Sequence, residues 1–387
     1  MVTLPNTAGA ALHLPRESQN DKPKLLHLQV LRVMAASVVI VDHAILELNL
    51  SGAPTSQYTF AAYLLGHMGV VAFFVVSGFI MMRQTADQFG VPSAPKLFAW
   101  HRLIRIVPLY WLATVLRLAS EVAWHNPTPH AGKQLLLSLA FIPDYLSGKV
   151  NLMPILDIGW TLNYEMSFYL IFTLCLFLPR RIGVWLLVLV PLILPHFHKV
   201  SLLPADHPLS AVFSFYTDPI IRFFALGVLF GYLELKFLHL RRISLSLSPA
   251  LLLIVAAVVL LTYPATLGVP GNWNQAARLA AAIAVACTIF TLHKPGPFNR
   301  LLVLLGDASY CTYLFHLWIN GFLVPHVLQI FHHFHREVTS PVLVVMVCVL
   351  CGNAAGVLIH LLLERPLTRA LRAFKIGVSE APVQMTA

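Results

Sequence analysis

The chain has 387 residues, 58% of them hydrophobic and 11% charged, with a mean hydropathy of +0.76. A water-soluble domain carries roughly 45–50% apolar and about 25% charged residues, so too little polar surface exists here to coat a soluble globule. The formal charge of +10 raises nucleic acid as a partner, a reading that fails if the basic residues flank membrane spans.

In chain order, residues 1–24 are mixed and polar, contain Pro5, Pro15 and Pro23, and lack the apolar core of a signal peptide. They are predicted to be a cytoplasmic tail. Ten apolar runs follow, near 28–48, 63–82, 107–124, 160–178, 182–198, 219–235, 244–263, 274–292, 308–330 and 341–363, each read as a membrane span. The fifth is short and interrupted by Pro191 and Pro195. Residues 134–142 are apolar but too short to span, which suits a re-entrant or interfacial segment. Residues 25–370 thus form one membrane domain, and 371–387 a second cytoplasmic tail. The expected fold is all-α: a polytopic integral membrane protein with about ten transmembrane helices and both termini cytoplasmic.

The basic residues fit this order. With the N-terminus inside, the inner loops hold eighteen of them, including Arg83, Lys96, Arg102, Arg105, Arg180, Arg181, Arg241, Arg242, Arg365, Arg369 and Arg372. The outer loops hold only Lys133, Lys149, Lys199 and Arg336. That asymmetry is the positive-inside pattern, and it removes the nucleic-acid reading. The five cysteines (Cys175, Cys287, Cys311, Cys348 and Cys351) lie in apolar runs without zinc-ligand spacing and read as packing residues. No metal is expected.

Ionisable groups inside spans are costly and mark function. Arg32, Asp42 and His43 fall in the first span, Arg117 and Glu121 in the third, and Glu165 in the fourth. Asp218 and Arg222 open the sixth, Arg278 is early in the eighth, and His316 is in the ninth. Arg32 and His43 are eleven residues apart, nearly three turns, so they share a helix face about 16 Å apart along the axis. Asp42 lies about 100° round from His43, so neighbours in sequence are not partners in space. Either Asp42 or Glu165 from another helix is left to orient the imidazole, and a purely packing His43 bonded to a nearby carbonyl competes with both. Glu165 stands among Tyr164, Ser167 and Tyr169, where a carboxyl suits acid–base work or an ion pair with Arg117, Arg222 or Arg278. Arg102 and Arg105, in the loop after the second span, share a face if helical. At the cytoplasmic surface they would grip a phosphate-bearing ligand or anchor against anionic lipid. Ser77 and Gly78 permit close helix approach.

Arg32 with His43, FFVVSGF, RLIRIVPLYW, DASYCTYLFHLW and the ERP at Glu364–Pro366 occur in order along the chain. Together they resemble membrane acyltransferase family 3, and WTLNYEMSFYLIF is similar to its exopolysaccharide-modifying branch. The resemblance covers residues 25 to 370, with His101 where many members carry another Arg. It implies transfer of an acyl group, often acetyl, from a cytoplasmic acyl-CoA co-substrate to sugars, with no bound cofactor. The acceptor expected is an exported polysaccharide such as cellulose or a succinoglycan-like polymer. Lipids, and a polysaccharide synthase or export complex, are the expected partners, and the bacterial inner membrane the location. His43 would then be the catalytic base or transient acyl carrier, with Asp42 or Glu165 orienting it. Arg32, Arg102 and Arg105 would hold the donor, with Arg117, Arg222, Arg278, Tyr313 and His316 as further candidates. A glycan-precursor transporter or flippase, or a non-catalytic export subunit, is the alternative.

Overall fold

The computed structural model describes residues 26–123, 131–143, 153–197, 208–236, 299–334 and 341–374. The elements are α1 (Leu26–Leu50), α2 (Thr59–Thr85), α3 (Ala94–Ala123), α4 (Ala131–Leu139), α5 (Trp160–Leu176), α6 (Arg180–Ile193), α7 (Pro208–Tyr216), α8 (Arg222–Lys236), α9 (Asn299–His333), α10 (Val342–Ile359) and α11 (Arg365–Ala373). A π-helical turn, His360–Glu364, joins α10 to α11. No strand occurs among the described residues. Seven helical segments there are long and apolar enough to cross a bilayer. Eight of the ten predicted spans correspond to helices. The predicted spans at 244–263 and 274–292, with Arg278, lie outside the described residues.

The third predicted span needs correction. Hydropathy places its start at 107, yet α3 begins at Ala94 and runs unbroken through Pro108. Pro108 removes one N–H from the helical ladder, which reads in sequence as a boundary, but the apolar residues on both sides pack as one helix. Arg102 and Arg105 are therefore part of a spanning helix and not of a surface loop. The short apolar run at 134–142 is the nine-residue α4, which packs on α3.

Polarity is turned inside out relative to a soluble protein. Leu136, Phe177, Leu350 and Leu362 are exposed, whereas Gln29, Arg32, Asn163, Ser309, His316, Asn320 and Glu364 are buried. Lipid rewards that arrangement, because polar groups must find partners inside the bundle. α1 is the centre, packed on α2, α9 and α10, while α2 also packs along α8. α2 is apolar all round and correspondingly enclosed. Glycine allows this. A Cβ on Gly78 would strike the Phe224 carbonyl oxygen, and one on Gly227 the Val75 carbonyl oxygen, so α2 and α8 touch backbone to backbone. Where α2 and α8 end, Arg83 Nη1 meets the buried Glu234 Oε1 at 3.1 Å.

Candidate active site

α1, α2, α3, α5 and α9 together line a partly open cavity of about 770 Å³, its mouth included. Arg32, Arg102 and Arg105 line it, with Glu165, Tyr169, Ser77, Thr161, Ser309, Tyr310 and Tyr313. Three guanidiniums from two helices, seventy residues apart in sequence, thus meet in one space. None of the three is in a salt bridge among the described residues, whereas Arg117 pairs with Glu121 at 3.2 Å and Arg83 with Glu234. Glu165 is within electrostatic reach of all three. Positive charge left without a contact partner around a cavity is what an anionic ligand requires.

Each arginine is aimed by its surroundings. Arg32 Nη1 donates to Gln29 Oε1 at 3.3 Å, and Gln29 Nε2 donates to Asp307 Oδ1 at 3.1 Å. Arg102 Nη2 donates to Gln84 Oε1 at 2.7 Å and lies over the rings of Phe98 and Tyr169, 5.2 and 5.8 Å from their centroids. A cation over two aromatic faces is held by cation–π attraction. Arg105 has no hydrogen bond among the described residues and faces three carboxylates electrostatically, Glu364, Glu165 and Asp307. Glu165 accepts from Ser77 Oγ at 3.1 Å and from the Tyr169 hydroxyl. The Ser-Gly pair of α2 therefore has two uses: Gly78 admits α8 while Ser77 holds Glu165.

His43 lies further along α1. Its Nδ1 donates to the Val39 carbonyl at 3.0 Å, which leaves Nε2 with its lone pair. The carbonyl bond expected of a packing imidazole is present, and it fixes the tautomer that a base needs. The His43 ring stands edge-on to His316, 4.9 Å between centroids. His316 is 1% exposed and bonds the Tyr313 carbonyl through Nδ1 at 2.6 Å. Tyr313 in turn ties α9 to the start of α5, through Thr161 Oγ1 at 2.7 Å and the Ile158 carbonyl at 3.1 Å.

Asp42 and Glu165 are the acids that the sequence offered to orient His43, and neither has a hydrogen bond to its ring among the described residues. Glu165 is committed to Ser77 and Tyr169 in the arginine cavity. Asp42 packs over Gly66 of α2, where a Cβ would contact its carboxyl at 2.7 Å, on a different side of α1 from His316. A third carboxylate, Asp157 in the turn Asp157–Gly159 that opens α5, exerts a pull on His43 that is smaller than the effects of burial and of the Val39 bond. Periodicity could not single it out, because a turn residue belongs to no helix face. Of the remaining candidates, Arg222 opens α8 behind a turn capped by Asp218, whose Oδ1 accepts from the Ile220 N–H at 2.7 Å, and it does not line the cavity.

One group of described residues has metal-ligating atoms close together: Cys311, His360 and Glu364, within 4.8 Å of one another. Those atoms already serve each other. Glu364 Oε2 accepts from Cys311 Sγ at 3.0 Å and from His360 Nδ1 at 2.6 Å. Arg105 supplies the positive charge that the carboxylate faces.

The matching family model is that of an acyltransferase domain, acyltransferase 3, over residues 25–361. The chain belongs to the acyltransferase 3 family. It is a membrane acyltransferase, acting on groups other than aminoacyl groups, and the transporter and non-catalytic readings fall away. A curated relative, the exopolysaccharide production protein ExoZ of Rhizobium meliloti (strain 1021), is 32% identical over 320 residues, covering 81% of this chain and 93% of that protein. No solved structure matches. As an acyltransferase 3 protein, the chain keeps Arg32, His43, Arg102 and Arg105 within or beside one polar interior.

Proposed function

We propose that this acyltransferase moves an acyl group, acetyl in the simplest case, from cytoplasmic acyl-CoA to sugar hydroxyls of an exported polysaccharide at the bacterial inner membrane. The observation that carries this reading is the cavity in which Arg32, Arg102 and Arg105 stand without salt-bridge partners, on the same bundle as His43. The donor is a polyanion, and arginine offers paired donors to its phosphates. The name of the R. meliloti relative supports the acceptor class; cellulose and succinoglycan-like polymers are both suitable acceptors. The excess of basic residues on one set of loops supports an orientation with both termini in the cytoplasm, so the arginine end of α1 faces the donor.

The chemistry follows from proton accounting. A sugar hydroxyl is a poor nucleophile until it loses its proton. His43 Nε2 takes that proton as the hydroxyl oxygen attacks the thioester carbon. The C–S bond then breaks, and the departing thiolate takes the proton back from the imidazolium. Asp157 stabilises the imidazolium while it lasts. Direct transfer is favoured over an acyl-imidazole. Acylation at Nε2 would strand a proton on Nδ1, whose neighbour is the Val39 carbonyl and not a base.

The test uses purified protein in lipid vesicles with labelled acetyl-CoA and polysaccharide from the host. Ester formation is expected with the parent and lost, by a thousandfold or more, in His43→Ala with the protein still inserted. Unchanged ester formation in that variant would overturn the assignment. Rapid quenching without acceptor should find no label on the protein; retained label would favour the two-step route.

A further inference from the structure

We infer that Gln29 is a positioning residue for the donor site, one that holds Arg32 in place while keeping Asp307's charge at one remove. This rests on the donor reading above. The Gln29 and Arg32 side chains are buried, each 9% exposed, one turn apart on α1. Gln29 Oε1 accepts from Arg32 Nη1 at 3.3 Å, and Gln29 Nε2 donates to Asp307 Oδ1 of α9 at 3.1 Å. The backbone is built around this amide. A Cβ on Gly306, the residue before Asp307, would sit 2.5 Å from Gln29 Cβ, so only glycine there leaves Gln29 its place.

A buried arginine ordinarily pairs directly with a carboxylate. Here a carboxylate is within electrostatic reach of Arg32, yet a neutral amide is interposed. The amide satisfies a guanidinium N–H and passes the constraint to α9. Because Coulomb attraction falls with separation, the interposed amide leaves more of Arg32's field available to the cavity than a contact pair would. A direct Asp–Arg pair would fix the side chain equally well and cancel the charge that a phosphate needs. Gln29 therefore separates orientation from neutralisation, two effects that a salt bridge combines.

An exchange of the two side-chain chemistries tests this. Gln29→Glu combined with Asp307→Asn keeps both hydrogen bonds, since the carboxylate placed on α1 still accepts from Arg32 and the amide placed on α9 now donates to that carboxylate. Net charge is unchanged; only the carboxylate moves, into contact with Arg32. Coenzyme A binding and the KM for acetyl-CoA are measured in detergent-purified protein, alongside kcat and thermal stability. The exchange is expected to restore the stability that Gln29→Glu alone loses, while raising donor KM and weakening coenzyme A binding at least tenfold, with kcat within about threefold. Gly306→Ala should give the same donor defect by displacing Gln29. If the exchange restores stability and donor affinity together, Gln29 is structural only and the inference falls. If it restores neither, the hydrogen-bonded chain was wrongly assigned and the inference falls. If the parent itself does not bind coenzyme A, the donor reading fails first and takes this inference with it.

Discussion

At the scale of single residues, the proposed mechanism divides the charged groups of the site by task. Arg105 has no hydrogen-bond or ion-pair partner among the described residues, yet buried Glu364 faces its positive charge, so its removal should cost ligand binding first and some stability as well. Arg105→Ala is expected to raise donor KM by tenfold or more with modest loss of thermal stability; donor saturation curves superimposable on the parent's would refute the phosphate role. Arg105→Lys should recover only part of that loss, because an ammonium lacks the guanidinium's paired donors. Asp157 belongs to the other end. Asp157→Asn should lower kcat by about tenfold, as expected for loss of an acid that steadies an imidazolium, and leave donor KM unchanged. A KM effect instead would place Asp157 with the binding groups. Little of this division was legible in the sequence. The Arg32–His43 spacing was readable because one helix sets it. Asp157, Gln29 and the bond of Glu165 to Ser77 were not, because each depends on contacts between segments 88 to 278 residues apart, or on a turn. Asp42 shows the same limit from the other side: the angle to His43 was computable, but what it packs against was not.

At the scale of helices, the α2–α8 seam is the most demanding contact. Neither Gly78 nor Gly227 can carry a side chain without moving a backbone carbonyl of the facing helix. Gly227→Leu should destabilise the protein by about 2–3 kcal/mol or prevent its insertion, as overpacking does. Gly321→Ala, where nothing lies within 4 Å, should be neutral or slightly stabilising in its helix. Melting temperatures in detergent would check both, and equal melting points for the pair would count against the seam. Apolar run length was enough to predict the helices' existence and order. It misplaced the start of α3, since Pro108 and the two arginines looked like a boundary. The two arginines line the cavity while Leu103, Trp111 and Leu112 remain on the outside, so the helix continues where hydropathy dips.

At the scale of the whole molecule, orientation is the next question. With native cysteines removed, a cysteine at Gly132 should react with a membrane-impermeant thiol reagent added to the periplasmic side, and one at Gly90 should not. The reverse result would invert the proposed topology. The geometry of α1 also has a consequence for substrate choice. Arg32 and His43 share one rigid rod, about 16 Å apart along its axis, so under the proposed roles the distance between phosphate grip and reacting carbon is set by the helix. The helix acts as a ruler. A donor held at its phosphates must carry its thioester on an arm long enough to reach the imidazole. Acetyl phosphate, with no arm, and short acetyl thioesters, with no phosphates, should both be poor donors even at saturating concentration, while lengthening the acyl chain by a carbon or two should matter far less than shortening the arm.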